Sequence, residues 1–154
     1  MADTEMIIDI EGIEGLEKKL GGLARAMPQF ERTMVRVTNM IRDSARAVVP
    51  VDTGTLRRSI ISEVESSRDN VVGTVGPTEP YGAPVEFGTR PHFPPVDALK
   101  RWAEKRGMNP WAVALAISRR GTRPRPYLIP SFERHKDDAL REFKNAIDYL
   151  LETL

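Results

Sequence analysis

Asp52-Thr53-Gly54 is the run in this chain whose residue types and spacing match a catalytic element, the active-site tripeptide of aspartic proteases. A homodimeric enzyme of that kind needs one tripeptide per chain, because two carboxylates from two subunits share a proton and activate water. Its flanks read otherwise. The protease loop follows a hydrophobic strand in a nearly all-β chain, whereas a long helical pattern and Pro50 precede this one. Leu56-Arg57-Arg58 would also set two guanidiniums beside the dyad, and nearby positive charge opposes the sharing of a proton. Other catalytic groupings are thin. His92 and His135 have no partner at metal-ligand or triad spacing, and the glycines do not gather into a phosphate-binding loop. The sequence predicts no enzyme, catalytic residue, cofactor or metal, and leaves the homodimeric aspartic protease as a remote alternative.

A structural reading uses the whole block from Val49 to Ile60. Pro50 stops a helix, Asp52 and Thr53 hold backbone N–H groups as an Asx-type turn, and Gly54 supplies positive φ. Pro50, Asp52, Thr53 and Gly54 thus shape a corner. Leu56 anchors it to the core, and Arg57 and Arg58 face water or a partner.

The elements that must position this corner follow from periodicity. Met6 to Ile10 reads as a short strand. Leu16, Leu20, Leu23 and Met27, then Phe30, Met34, Val37, Ile41, Ala45 and Val48, fall at helical spacing over a region from 12 to 49. A new helix is expected near Pro28, since proline is tolerated in a first turn and costs about 3 kcal/mol further in. Ser59–Glu65 and Val71–Val75 flank the polar cluster at 67–70 and predict a β-hairpin over 58–77. Val85 to Thr89 adds a short extended or helical piece. Two short helices follow Pro94-Pro95 and Asn109-Pro110, with Trp102 and Trp111 assigned to packing. Ser131 is the expected N-cap of a last helix over 131–154, whose packing face carries Phe132, Leu140, Phe143, Ile147, Leu150 and Leu154.

The fold class expected is α+β. Long N-terminal and C-terminal helices pack on a small antiparallel sheet built around the hairpin, with a basic helical insertion over 89–125 between Pro-rich arms. The 154 residues suffice for one domain with a core. The chain has no cysteine, and so neither a disulfide framework nor a thiolate metal site. Acidic residues near the start and the lack of a long apolar run predict neither a signal peptide nor a membrane partner.

A net charge of +1 hides a strong asymmetry. Residues 88–125 hold nine Lys and Arg against two Asp and Glu, while 1–87 hold ten against fourteen and 126–154 hold four against six. Such polarity favours head-to-tail contacts between copies, and it equally suits a nucleic-acid surface as the alternative reading of the basic segment 90–125. Within it Gly88-Thr89-Arg90-Pro91-His92-Phe93-Pro94 is echoed by Gly121-Thr122-Arg123-Pro124-Arg125-Pro126-Tyr127. Pro spaced by Arg or His favours extended arms without internal hydrogen bonds. Arg57, Arg58, Arg90, His92, Phe93, Arg123, Arg125 and Tyr127 are the candidate contact residues.

The block Val49 to Ile60, then Val75-Gly76-Pro77, Tyr81-Gly82, Val85-Glu86-Phe87-Gly88-Thr89 and Arg125-Pro126-Tyr127-Leu128, in this order, resembles the tail-completion or neck family of long-tailed bacteriophages. The stretch between Thr89 and Arg125 departs from it, being crossed in a few residues by shorter relatives. The resemblance implies a non-enzymatic virion protein, made in the host cytoplasm, that finishes the tail at the head-to-tail joint. It implies a ring of copies, sixfold or twelvefold, around the DNA channel. The implied neighbours are a connector or head-completion protein, the tail terminator and the tail tube, with DNA passing through without sequence-specific binding.

Overall fold

A computed structural model describes residues 6–8, 23–67 and 70–153. Among them the chain is α+β, with a three-stranded antiparallel sheet and six helices. Strand β1 (Met6–Ile8) is followed by helix α1 (Leu23–Val48), the short helix α2 (Thr55–Ser59), and strands β2 (Ile60–Ser66) and β3 (Val71–Pro77). Helices α3 (Gly82–Phe87), α4 (Val96–Glu104), α5 (Pro110–Arg120) and α6 (Leu128–Thr153) complete the order. β3 is central, pairing β1 with Met6 opposite Val75 and β2 with Ile60 opposite Pro77. The helical spacing at Leu16 and Leu20, the turn residues 68 and 69, and Leu154 lie outside the described residues.

α1 differs from expectation at its start. It begins at Leu23 and runs through Pro28. Pro28 lies just past the first turn, so it removes one of the earliest intrahelical bonds while the buried face continues unbroken through Met27, Phe30, Met34, Val37, Ile41 and Ala45. That face lies on the sheet. Gly73 in β3 leaves no room above itself, for a Cβ there would stand 2.5 Å from Thr38 Cγ2 and 2.6 Å from Met34 Sδ. The absence of a side chain sets how closely α1 approaches the sheet. Arg42 reaches across the contact to Ser62 Oγ at 3.1 Å, and Ser62 donates to Asn39 at 2.9 Å.

α6 packs along α1 and buries Phe132 and Phe143 in part and Ala139, Ala146 and Leu150 almost wholly. Arg36 joins the two helices on the surface through Glu142 at 3.1 Å. The start of α6 corrects the expected N-cap. The helix begins at Leu128, and Ser131 instead donates to the Tyr127 carbonyl at 2.6 Å. The carboxylate of Glu86, from α3, caps α6. It accepts the N–H groups of Tyr127 at 2.7 Å, Leu128 at 2.9 Å and Ile129 at 3.0 Å, and it is fully buried. Three charge-assisted bonds at the positive end of a long helix satisfy donors that otherwise have no partner. Beside it Tyr127 is completely buried, with its Oη donating to the Gly82 carbonyl at 3.4 Å. Burial first, and the Glu86 charge second, push the Tyr127 phenol well above its ordinary value.

Glu86→Gln, which keeps the shape but loses the charge, is expected to lower stability by about 1.5–3 kcal/mol in chemical denaturation. Tyr127 gives an alkaline signature. Unfolded, its phenol ionises near 10, whereas the folded chain keeps it protonated. The unfolded state therefore gains as pH rises past that value, and stability falls there. Tyr127→Phe is expected to show a shallower loss than the wild type in denaturation curves recorded on either side of pH 10.

Candidate assembly surface

The corner between α1 and β2 is built from a helix stop and a new helical turn. Val49 extends α1 by a bond to the Ala45 carbonyl and is buried, and Pro50 follows. Gly54 stands at φ +79° immediately before α2, and Arg58 N donates to its carbonyl at 3.0 Å. Thr53 Oγ1 accepts from Thr55 N at 3.4 Å. Leu56 is buried and carries the corner into the core.

Asp52 behaves differently from its expected part. Its carboxylate takes no backbone N–H among the described residues and points outward to Lys105 Nζ at 3.4 Å and Arg106 at 3.7 Å, at the far end of α4. The carboxylate is a tether between the corner and the insertion. A surface aspartate between two cations is also a poor place for two carboxylates to share a proton.

Arg57 and Arg58 stand at the mouth of an open cleft of about 390 Å³, lined with Asp43, Arg46 and Ala47. Arg46 is committed inward, donating to the Ile60 carbonyl at 2.9 Å, and Asp43 is held by Arg42 at 2.8 Å. Arg58 spends its guanidinium on Thr53 and Thr55. The Arg57 guanidinium has no hydrogen bond or ion pair among the described residues. With Arg46 and Arg58 engaged, Arg57 is the guanidinium left to receive an anionic group by paired N–H bonds, and a guanidinium stays protonated rather than shuttling a proton.

The two halves of the sequence echo meet each other. Thr89 and Thr122 form an isolated antiparallel bridge, exchanging backbone bonds of 3.2 and 3.3 Å, with their hydroxyls 3.1 Å apart. Gly88 and Gly121 precede them at φ +72° and +71°, and a Cβ on Gly121 would run into the Thr89 carbonyl. The repeat is therefore a clasp that closes the insertion at its base. Above it α4 packs on α5 around buried Ala103, Val113 and Ala114. Asn109 caps α5 by accepting Trp111 N at 2.9 Å, and Arg106 lies 4.4 Å over the Trp102 ring.

Of the predicted contact residues, Arg57, Arg58, Arg90, His92, Phe93, Arg123 and Arg125 are exposed. The clasp brings the two arms together, so Arg90 and Arg123 flank one bridge, while His92 Nδ1 is turned back to the Arg90 carbonyl at 2.9 Å. Tyr127 is withdrawn from that set, because its ring is inside the protein. Trp111 corrects the opposite way: assigned to packing, it is 65% exposed and touches the 54% exposed Phe93 with centroids 6.0 Å apart. Leu140 likewise leaves the packing face of α6, which takes Ala139 instead. Glu86 went unrecognised. Its signal is an acid enclosed by Val85 and Phe87, where a lone carboxylate needs donors. No group of residues suited to hold a metal ion occurs among the described residues, and no helix there is long and apolar enough to cross a membrane.

Residues 14–88, just under half of the chain, match the model of a family described as "Bacteriophage HK97-gp10, putative tail-component". The matched segment includes the corner, the hairpin and Glu86. No curated protein and no solved structure matches the chain.

The clasp predicts local rather than global loss. Gly121→Val, which needs an L-residue at positive φ against the Thr89 carbonyl, is expected to speed limited proteolysis and amide exchange within 90–120 ahead of the hairpin and α1. Asp52→Asn is expected to cost under about 1 kcal/mol, as exposed ion pairs do, with a difference that shrinks in high salt.

Proposed function

We propose that this chain is a structural component of a long-tailed phage virion, finishing the tail at the neck where head and tail join. It assembles there as a ring of identical copies, sixfold by preference and twelvefold as the alternative, around the channel through which DNA passes. The match of residues 14–88 to a tail-component family supports the tail assignment. The observation that carries assembly is the uneven charge along the chain. Exposed cations, Arg57 at the corner and Arg90, Arg123 and Arg125 on the clasped arms, belong to a chain whose segments on either side of 88–125 are net acidic. None of these four has an acidic partner among the described residues. Segments of opposite net charge in one chain favour heterologous contacts between copies, which close into rings when the rotation allows. Its neighbours would be the connector or head-completion protein, the tail terminator and the tail tube, and Arg57, Arg58, Arg90, His92, Phe93, Arg123 and Arg125 would supply contacts.

Lumen-facing basic residues would pass DNA along without sequence-specific grip. A nucleic-acid-binding module would instead show duplex affinity that falls steeply with salt and depends on residues 90–125.

Sedimentation velocity and negative-stain microscopy of the full chain test the reading. Concentration-dependent association into closed rings is expected, weakened in Arg57→Glu/Arg58→Glu and unaffected in catalysis-directed Asp52→Asn. Monomers at every concentration, together with tight salt-sensitive DNA binding, would sink it in favour of the nucleic-acid module.

A further inference from the structure

Two apolar side chains that helical patterning assigns to the core, Trp111 and Leu140, stand on the surface in segments of opposite charge. Trp111 begins an exposed ridge on α5 that continues one turn on through Leu115, 47% exposed, to Arg119. Phe93 widens it, its ring 6.0 Å from that of Trp111. Arg119 has no ion-pair partner among the described residues, and the segment around it is the most basic in the chain.

On α6 the outward ridge runs through Asp137, Leu140, Lys144, Asp148 and Leu151. Leu140 is 62% and Leu151 53% exposed, and neither Asp137 nor Asp148 has an ion-pair partner among the described residues. Spacing matches as well as sign. Trp111 and Arg119 are eight residues apart, as are Leu140 and Asp148, and eight residues of helix rise about 12 Å in both cases. Laid alongside in the same direction, the ridges put Trp111 on Leu140 and Arg119 on Asp148. Leu115 then meets the aliphatic stem of Lys144.

We propose that the Phe93–Trp111–Leu115–Arg119 ridge of one copy docks on the Asp137–Leu140–Asp148 ridge of α6 in a second copy, and that this is a contact that joins neighbours. The inference rests on the self-assembly part of the function proposed above. Charge complementarity selects the occupant: the basic ridge has its acidic, apolar counterpart on the same molecule, facing outward. A tryptophan with an aromatic neighbour and a flanking arginine has the composition of residues that carry most of an interface's energy. The contact is head to tail, because donor and acceptor ridges are different surfaces. Each copy can therefore donate once and receive once.

That directionality supplies the test. Trp111→Asp removes the donor ridge and leaves the acceptor, whereas Leu140→Asp does the reverse. Both positions are exposed, and circular dichroism checks that the variants fold. Each alone is expected to associate at least roughly tenfold more weakly than the wild type in sedimentation velocity. An equimolar mixture is expected to regain association but stop at heterodimers, since only one intact contact can form per pair. Arg119→Asp and Asp148→Arg are each expected to weaken association, and combining them in one chain to restore it. Variants that associate like the wild type, or a mixture that yields no heterodimer, overturn the contact. If they do so while Arg57→Glu/Arg58→Glu still breaks up the assembly, the ring reading survives without this contact. A wild-type chain that binds another tail protein through Trp111 but never itself overturns both.

Discussion

The structure turns on one buried negative charge. Glu86 sits with no access to water and is stable there because three backbone N–H groups at the head of α6 converge on it. A carboxylate buried without such donors would be very costly, and so would a long helix starting inside the protein with its first amides unpaired. Each problem solves the other. The consequence is geometric, because the bonds tie two segments more than forty residues apart. They fix where α6 starts, and therefore which of its faces meets α1 and which faces outward. Tyr127 and Gly82 pack into the same junction, and Gly82 lies against Pro77 at the end of β3. The short runs Val75-Gly76-Pro77, Tyr81-Gly82, Val85 to Thr89 and Arg125 to Leu128 thus converge in space on one joint.

Much of the architecture was legible as periodicity. The α1 stripe from Met27 to Ala45, the alternation of the hairpin, the Pro94-Pro95 pair ahead of α4 and Asn109-Pro110 at the start of α5 all report local geometry, which sequence spacing encodes directly. Contacts between distant segments are not encoded that way. Ser131 looked like a cap because its own neighbourhood suits one, and the true cap lies in another helix. Asp52 looked like a turn-former for the same local reason, yet its partners, Lys105 and Arg106, lie just past the end of α4. Pro28 suggested a helix start, but the face on either side of it buries enough apolar surface for one helix to run through.

The errors at Trp111 and Leu140 have a different origin. Patterning counts a large apolar side chain as a packing residue, whereas on α6 it is the small Ala139 and Ala146 that face the neighbouring helix. Small residues allow two helices to lie close, and the bulky leucine one position along is rotated out by about 100°. On α5 the same holds for Ala114 inside and Trp111 outside. Local rules and tertiary packing disagree at these points, and such disagreements concentrate where a chain has work to do on its surface. The corner at 49–60 changes meaning likewise: its aspartate turns away from the backbone of the turn and pairs with Lys105 and Arg106 of the insertion.

The pairing of Thr89 with Thr122 reaches beyond local stability. Because the two ends of the insertion lie side by side, the segment between them is a cassette: lengthening, shortening or replacing it need not move α1, the sheet or α6. Loop closure grows only slowly in cost with length, so such exchange is thermodynamically mild. A chain built this way can change the exposed surface of its insertion while leaving the body that displays it untouched. Its fold and its choice of neighbour are then free to diverge at different rates.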